Sequence, residues 1–161
     1  MQQVERLVGL LDEELCVCGE LGGVLRAEQA AVVRFQAETI LQCVEHRTAL
    51  QERLANLAAE RRQVVQELTA AHAAASPHVS DLLPLLPLAP RGTVRQRMRS
   101  LRAGFLEARS LERQNALLAR SSLDHVDDVL QALRGLVPGA RYGADASLTV
   151  PTSAGSLSQR A

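Results

Sequence analysis

Apolar residues recur every three or four positions over most of the chain, which is the spacing of one face of an α-helix. The first series falls within residues 3–33 and the second within residues 38–75, and both resemble heptad seams. The first consists of Val4, Val8, Leu11, Leu15, Cys18, Leu25 and Val32, and the second of Ile40, Val44, Leu50, Leu54, Leu57, Val64, Leu68 and Ala71. The pattern predicts two long helices that lie side by side.

A turn must separate these two helices if they are to pair within one chain. No Gly or Pro lies in residues 33–39, so periodicity alone does not distinguish a hairpin from one continuous helix over residues 3–75. Such a helix would be about 110 Å long at 1.5 Å per residue. We expect a hairpin with its turn at 33–39, because a monomer must bury its seam against something.

Prolines separate the second helix from a third. Pro77 lacks a backbone N–H and disfavours the α conformation at Ser76, so the second helix should end there. Residues 76–92 form a linker rich in Pro and Leu, whose leucines we expect to lie along the bundle. Thr93 is a plausible N-cap for a third helix over residues 93–136. Its stripe comprises Val94, Met98, Leu101, Phe105, Ala108, Leu111, Asn115, Leu118, Ser122, Val126, Val129, Leu133 and Leu136.

These patterns predict an all-α fold: an elongated antiparallel helical hairpin plus a third long helix, in a three-helix coiled-coil-like bundle without β-sheet. The helical domain spans residues 1–139. Residues 140–161 are small and polar without periodicity, which favours a mobile tail. Arg47 and Arg61 fall in the seam of the second helix, and Asn115 interrupts the stripe of the third. All three are predicted to set helix register rather than to bind a ligand.

The basic and acidic residues number 18 each, and every basic residue is Arg. Residues 1–75 carry a net charge of −4 and residues 76–161 one of +4, so the two halves can neutralise each other. A basic run, Arg91, Arg95, Arg97, Arg99 and Arg102, begins the third helix, where the macrodipole disfavours cations. Pairing with acidic residues near the start of the first helix is the favoured explanation; those residues are Glu5, Asp12, Glu13 and Glu14. An acidic protein partner and nucleic acid are the alternatives, although no aromatic residues are interleaved for base stacking.

No motif indicates catalysis, a metal or a cofactor. Cys16 and Cys18 point about 200° apart around a helix and cannot face one ion, and no Cys/His pair has zinc spacing. Catalytic triads, phosphate-binding loops and zinc-protease motifs do not occur, and the cluster Asp124-His125-x-Asp127-Asp128 favours a solvated helix face. We therefore predict a protein that is not an enzyme. The odd number of cysteines, the polar start and the lack of a membrane-spanning run predict a cytoplasmic protein without direct membrane insertion.

Four short motifs resemble the FlgN-type flagellar export chaperone family in their order and spacing. They are Leu25-Arg26-Ala27-Glu28-Gln29, the spaced leucines and arginines from Glu45 to Arg62, Asn115-Ala116-Leu117-Leu118, and Arg141-Tyr142-Gly143. Together they cover most of residues 1–146. The chain departs from the family pattern at Arg47, where Lys is usual, at Ala58, where Glu is frequent, and at Ala146, where Gly is frequent.

The resemblance implies a cytosolic bacterial chaperone that belongs to flagellar type III secretion. Such a chaperone binds hook-filament junction (hook-associated) proteins, keeps them from premature assembly and delivers them to the cytoplasmic domain of the flagellar export gate. In the family the last amphipathic helix holds the client, and a Tyr-bearing tail docks on the gate. Here gate docking would fall to Tyr142, and client binding to Leu111, Asn115, Leu118, Val126, Val129 and Leu133. The alternative is a generic coiled-coil scaffold or adaptor that oligomerises through the seams of its first two helices.

Overall fold

A computed structural model describes residues 2–71, 78–136, 141–142 and 148–149. The helices are α1 (Gln2–Val33), α2 (Ala37–Ala71), α3 (Val79–Leu82) and α4 (Leu88–Leu136), with a 3₁₀ turn at Leu83–Leu85. Two short strands follow, β1 (Arg141–Tyr142) and β2 (Leu148–Thr149). The chain divides into two compact units, Met1–Ala119 and Arg120–Ala161. The all-α class predicted from the sequence is confirmed.

The turn between α1 and α2 lies at residues 34–36, within the range expected from the sequence. Phe35 N donates to Val32 O at 3.1 Å and Gln36 N donates to Ala31 O at 3.0 Å, which is the hydrogen-bond pattern of a Schellman C-cap. Phe35 adopts a left-handed conformation with φ of 55°, a position that Gly usually occupies. The turn therefore has the usual geometry without the usual residue, and for this reason it carried no sequence signal.

The hydrophobic core joins α1, α2 and the first part of α4, all within Met1–Ala119. The α2 series was largely right, since five of its leucines and valines are buried. The α1 series was incomplete, because Leu7, Leu10, Val17 and Leu21 are also buried whereas Val4, Val8 and Leu15 are only half-buried. Helix α1 contacts both α2 and α4, so its buried face is wider than a two-helix seam.

Two glutamates on α1 lie inside this apolar seam and pair with arginines on α2. Glu14 is only 1% exposed. Arg61 Nε donates to its Oε1 at 3.0 Å and to its Oε2 at 2.9 Å. Glu28 Oε2 accepts from Arg47 Nη1 at 3.2 Å. The two pairs lie two heptads apart on both helices, so they agree on a single antiparallel register. Arg47 and Arg61 thus make the contacts between α1 and α2 that the predicted register-setting role requires.

The linker and the start of α4 differ from expectation. Helix α4 begins at Leu88, five residues before the predicted N-cap Thr93, whose hydroxyl donates to Ala89 O within the helix at 3.5 Å. Pro90 is tolerated there because N–H groups in the first turn have no helical acceptor. The predicted linker also contains α3 and the 3₁₀ turn. Among its leucines, Leu82 and Leu86 are buried as expected for residues along the bundle, whereas Leu85 and Leu88 are exposed, contrary to that expectation. The predicted end of α2 at 72–77 lies outside the described residues.

Helix α4 approaches α1 closely at Gly104. A Cβ at this position would lie 2.8 Å from Cys18 Sγ, so the contact requires the absence of a side chain. Val94, Leu101 and Ala108 continue the buried face of α4 on either side. Further along, Asn115 Nδ2 donates to Leu25 O at 2.8 Å and to Glu28 Oε2 at 3.2 Å. Asn115 therefore ties α4 to the same buried carboxylate that joins α1 to α2.

Strands β1 and β2 pair in antiparallel fashion, Arg141 with Thr149 and Tyr142 with Leu148. The expectation that the chain has no β-sheet was wrong at these four residues. Strands of two residues are too short for the alternation that identifies strands in a sequence. The remaining residues of the predicted tail, 140, 143–147 and 150–161, lie outside the described ones.

Replacing Gly104 by Ala tests the close approach of α4 to α1. We expect the clash with Cys18 Sγ to outweigh the gain in helix propensity, lowering the free energy of unfolding by about 1 kcal/mol in urea titrations. Gly23→Ala is the matched control, since its Cβ would meet nothing within 4 Å. It should raise the free energy of unfolding by about 0.5–1 kcal/mol. Adding Cys18→Ala to Gly104→Ala should recover stability. Equal stability of Gly104→Ala and Gly23→Ala would contradict the close approach.

Replacing Arg61 by Met tests the buried Glu14–Arg61 pair. The change leaves a carboxylate with 1% exposure unpaired, and the free energy of unfolding should fall by about 3–5 kcal/mol. The double variant Glu14→Leu/Arg61→Met removes both charges and should recover most of that loss. Arg26→Met is the control, because the Arg26–Glu107 pair is more than half exposed on both sides and should contribute less than about 1 kcal/mol. A double variant as unstable as Arg61→Met would show that the loss comes from packing and not from the unpaired charge.

Candidate functional site

The last described part of α4 carries an apolar face that nothing in the described structure covers. Every side chain from Leu123 to Arg134 is exposed. The apolar ones are between 37% and 67% exposed, and they are Leu123, Val126, Val129, Leu130 and Leu133. At about 100° per residue these side chains fall within roughly one third of the helix circumference. A contiguous exposed apolar face of this kind is typical of a protein-binding surface.

An acidic face accompanies the apolar one. Asp124, Asp127 and Asp128 are exposed, and the helical spacing places them on the opposite side from Val126 and Val129. This agrees with the solvated face predicted for the cluster. The end of α4 is therefore an amphipathic helix with its apolar side accessible, an arrangement that can bind a second amphipathic helix.

The six predicted client-binding residues fall into two groups. Leu111, Asn115 and Leu118 belong to Met1–Ala119, where Leu111 packs against the core, Leu118 is half-buried and Asn115 is 4% exposed. The second group belongs to Arg120–Ala161 and is exposed; its members are Val126, Val129 and Leu133. The structure thus places only the second group on an accessible face.

Sequence reasoning missed two members of this accessible face, Leu123 and Leu130. The predicted stripe passed through Ser122, Val126 and Val129. These residues continue the helix face that is buried earlier in α4. Leu123 and Leu130 lie beside that line at helical spacing from Val126 and Leu133. A wider apolar arc, rather than a single stripe, would have included them.

Tyr142, the predicted gate-docking residue, lies in strand β1, where it pairs with Leu148. Its distance along the chain from the exposed α4 face is short, since α4 ends at Leu136. Within the described residues, Tyr142 therefore belongs to a short antiparallel strand pair.

The basic run at the start of α4 is paired only in part. Arg97 Nε lies 2.5 Å from Asp12 Oδ1, as the intramolecular explanation predicted. Arg91 instead donates to the backbone oxygens of Pro84 and Leu86. Among the ion pairs within the described ranges, Arg95, Arg99 and Arg102 take no part.

The cysteines show no shared site. Cys16 is exposed, and its thiol donates to Glu20 Oε1 at 3.6 Å, whereas Cys18 and Cys43 are buried. Burial raises the pKa of the Cys18 thiol, and the nearby Glu107 carboxylate adds to the increase, so Cys18 stays protonated and unreactive near neutral pH. Within the part of the chain that the structure describes, no group of three or more His, Cys, Asp or Glu residues could hold a metal ion. In the same residues, no helix combines the length and the apolar character needed to cross a membrane.

Comparison with known proteins identifies the family. A family model described as FlgN protein matches residues 1–149. No curated protein and no solved structure matches the chain. The match covers the α1–α2 hairpin, all of α4 and the strand that carries Tyr142, so it includes each of the four motifs noted in the sequence. The chain therefore belongs to the FlgN family, whose members serve as flagellar export chaperones and not as enzymes.

Proposed function

We propose that this protein is a cytoplasmic chaperone that binds hook-filament junction proteins, keeps them from assembling prematurely and delivers them to the export gate. Family membership supports the chaperone role in flagellar export. The observation that carries the finer proposal is the uncovered apolar face of α4 at Leu123, Val126, Val129, Leu130 and Leu133. A client helix laid on this face would remove these side chains from water.

The energetics of such a complex are adequate for specific binding. Full burial of a Val or Leu side chain is worth about 1.5–3 kcal/mol. The five side chains are already partly covered by their own helix, so a client gains only part of this sum, and it pays the entropy of association.

The client site is best centred on residues 123–133 rather than on the whole predicted stripe. Contact with Asn115 would require opening its hydrogen bonds to Leu25 O and Glu28 Oε2, and contact with Leu111 would displace it from the core. Both steps cost stability, whereas the exposed residues offer their apolar surface at no such cost. Leu111, Asn115 and Leu118 would then hold α4 in place instead of touching the client directly.

The scaffold alternative is less well supported. A scaffold would use the seams of the first two helices to form an obligate oligomer. In this chain those seams face each other across α1 and α2 and form the core of a single protomer. They are therefore not free to join other copies without unfolding the hairpin.

For delivery, we propose that Tyr142 docks on the cytoplasmic domain of the export gate. A Tyr side chain offers a large apolar face and a hydroxyl with few rotatable bonds, which suits a short docking segment. Tyr142 is the single Tyr of the chain, and it follows the proposed client face closely in sequence. A client and the gate could then be held at the same time through different residues.

Replacing Val126 and Val129 by Gln tests the client face. The double variant should weaken binding of a C-terminal segment of a hook-filament junction protein by about 10- to 100-fold, measured by titration calorimetry. Helix content by circular dichroism should be unchanged, because both residues are exposed. Val33→Gln/Leu41→Gln is the matched control, since these apolar residues are exposed on the hairpin. Unchanged affinity in the α4 variant would move the client site away from this face.

Replacing Tyr142 by Ala tests gate docking. The variant should retain client binding while its affinity for the gate's cytoplasmic domain falls by about tenfold or more, because one anchoring aromatic ring is lost. Tyr142→Phe keeps the ring and separates the contribution of the hydroxyl. Binding should be measured with and without bound client, and secretion of the client compared in cells. Equal gate affinity of wild type and Tyr142→Ala in both conditions would remove Tyr142 from the mechanism.

A further inference from the structure

A second apolar surface lies in Met1–Ala119 and shares no residue with the proposed client face. Three adjoining hollows run along the side of α4 that faces α2 and α3. Met98 lines two of them, as do Arg102, Phe105 and Arg109. Because neighbouring hollows share these residues, they form one groove, which we call the α4 groove.

The floor of the α4 groove is apolar and accessible. Phe105 is 42% exposed, although it is one of only two Phe residues in the chain. Leu106 beside it is 61% exposed. Leu54, Ala55 and Ala58 of α2 extend the apolar floor at one end. Val79 of α3 and Leu83 of the 3₁₀ turn extend it at the other. An exposed aromatic in a long apolar groove between helices is a typical anchor point for a partner.

The rim of the groove is mainly basic. Arg95, Arg99, Arg102 and Arg109 line it, and none of them takes part in an ion pair within the described residues. At about 100° per residue they fall within roughly 80° of the α4 circumference, so they form one row. Of the acidic residues of α4 near this row, Glu107 pairs with Arg26, whereas Glu112 lines the hollow beside Arg109 and accepts a hydrogen bond from Gln51. Four arginines against this one carboxylate leave an excess of positive charge along the groove.

We propose that the α4 groove binds an amphipathic helix of another protein, one whose apolar stripe is flanked by Asp or Glu. The apolar floor would take the stripe, and the guanidinium groups would take the carboxylates in bidentate pairs. Arg95 and Arg109 are about 21 Å apart along α4 at 1.5 Å per residue, which matches a partner helix of about four turns. Nucleic acid would use the arginines but not the apolar floor. This proposal uses different residues from the client face and holds whether or not that face binds the client.

The test uses designed peptides of about 15 residues, the length of four helical turns, with Leu at helical spacing and Glu on both flanks. One comparison peptide has Arg in place of Glu, and another has the same composition in scrambled order. By fluorescence anisotropy, the Glu peptide should bind the full chain and the two comparison peptides should not. Arg99→Glu/Arg102→Glu should weaken binding of the Glu peptide by about tenfold or more and allow the Arg peptide to bind. Phe105→Ser should weaken the Glu peptide without restoring the Arg peptide.

The matched control is Arg34→Glu/Arg53→Glu, which changes net charge equally at exposed positions outside the groove. It should alter binding by less than about twofold. Equal binding of the scrambled peptide, or no effect of the Arg99/Arg102 reversal, would overturn the proposal. So would competition by a mixed-sequence DNA duplex at the peptide's own concentration. A dimer of the chain alone in sedimentation velocity, dissociated by the same reversal, would assign the groove to a second copy instead.

Discussion

The antiparallel register of α1 and α2 depends on two carboxylates buried in an otherwise apolar seam. Glu14 meets Arg61 and Glu28 meets Arg47. In the observed register a slip of one heptad would place Glu14 opposite Leu54 or Leu68, leaving a charge in an apolar site at a cost of several kcal/mol. Leucine seams alone tolerate such slips because one leucine resembles the next. The buried pairs therefore add little net stability but exclude the wrong registers.

The buried Glu28 carboxylate also holds α4 in position. Asn115 reaches Glu28 as well as Leu25 O, so one carboxylate connects all three long helices. Nearer the start of α4, the missing side chain of Gly104 lets the helix come against Cys18. A polar tie and a close contact thus both hold the packed part of α4. Both lie within Met1–Ala119, and the apolar face at 123–133 takes part in neither.

The long helices could be predicted from the sequence because their apolar periodicity is long and unbroken. Structural details could not be predicted where a residue stands at a position that another residue type usually occupies. Phe35 adopts the conformation expected of Gly, Pro90 lies inside the first turn of α4, and Glu14 and Glu28 occupy apolar positions. For the candidate site, the sequence predicted the helix and three of its five accessible apolar residues. It could not separate Asn115, which is buried, from Val129, which is exposed, since one stripe continues through both and only the extent of the packing partners distinguishes them.

The exposed end of α4 can remain helical because it extends a helix that is already nucleated. Nucleation is the unfavourable step of helix formation, and each further residue costs little when it is a good helix former. The packed part of α4 supplies the nucleus, and Leu, Ala, Gln and Arg between 130 and 134 favour propagation. An apolar helix face is thereby presented in its binding conformation, which lowers the entropy cost of capturing a partner. The hydrophobic core consists of residues within Met1–Ala119. Binding or release of a partner at residues 123–133 therefore leaves the packing of that core unchanged.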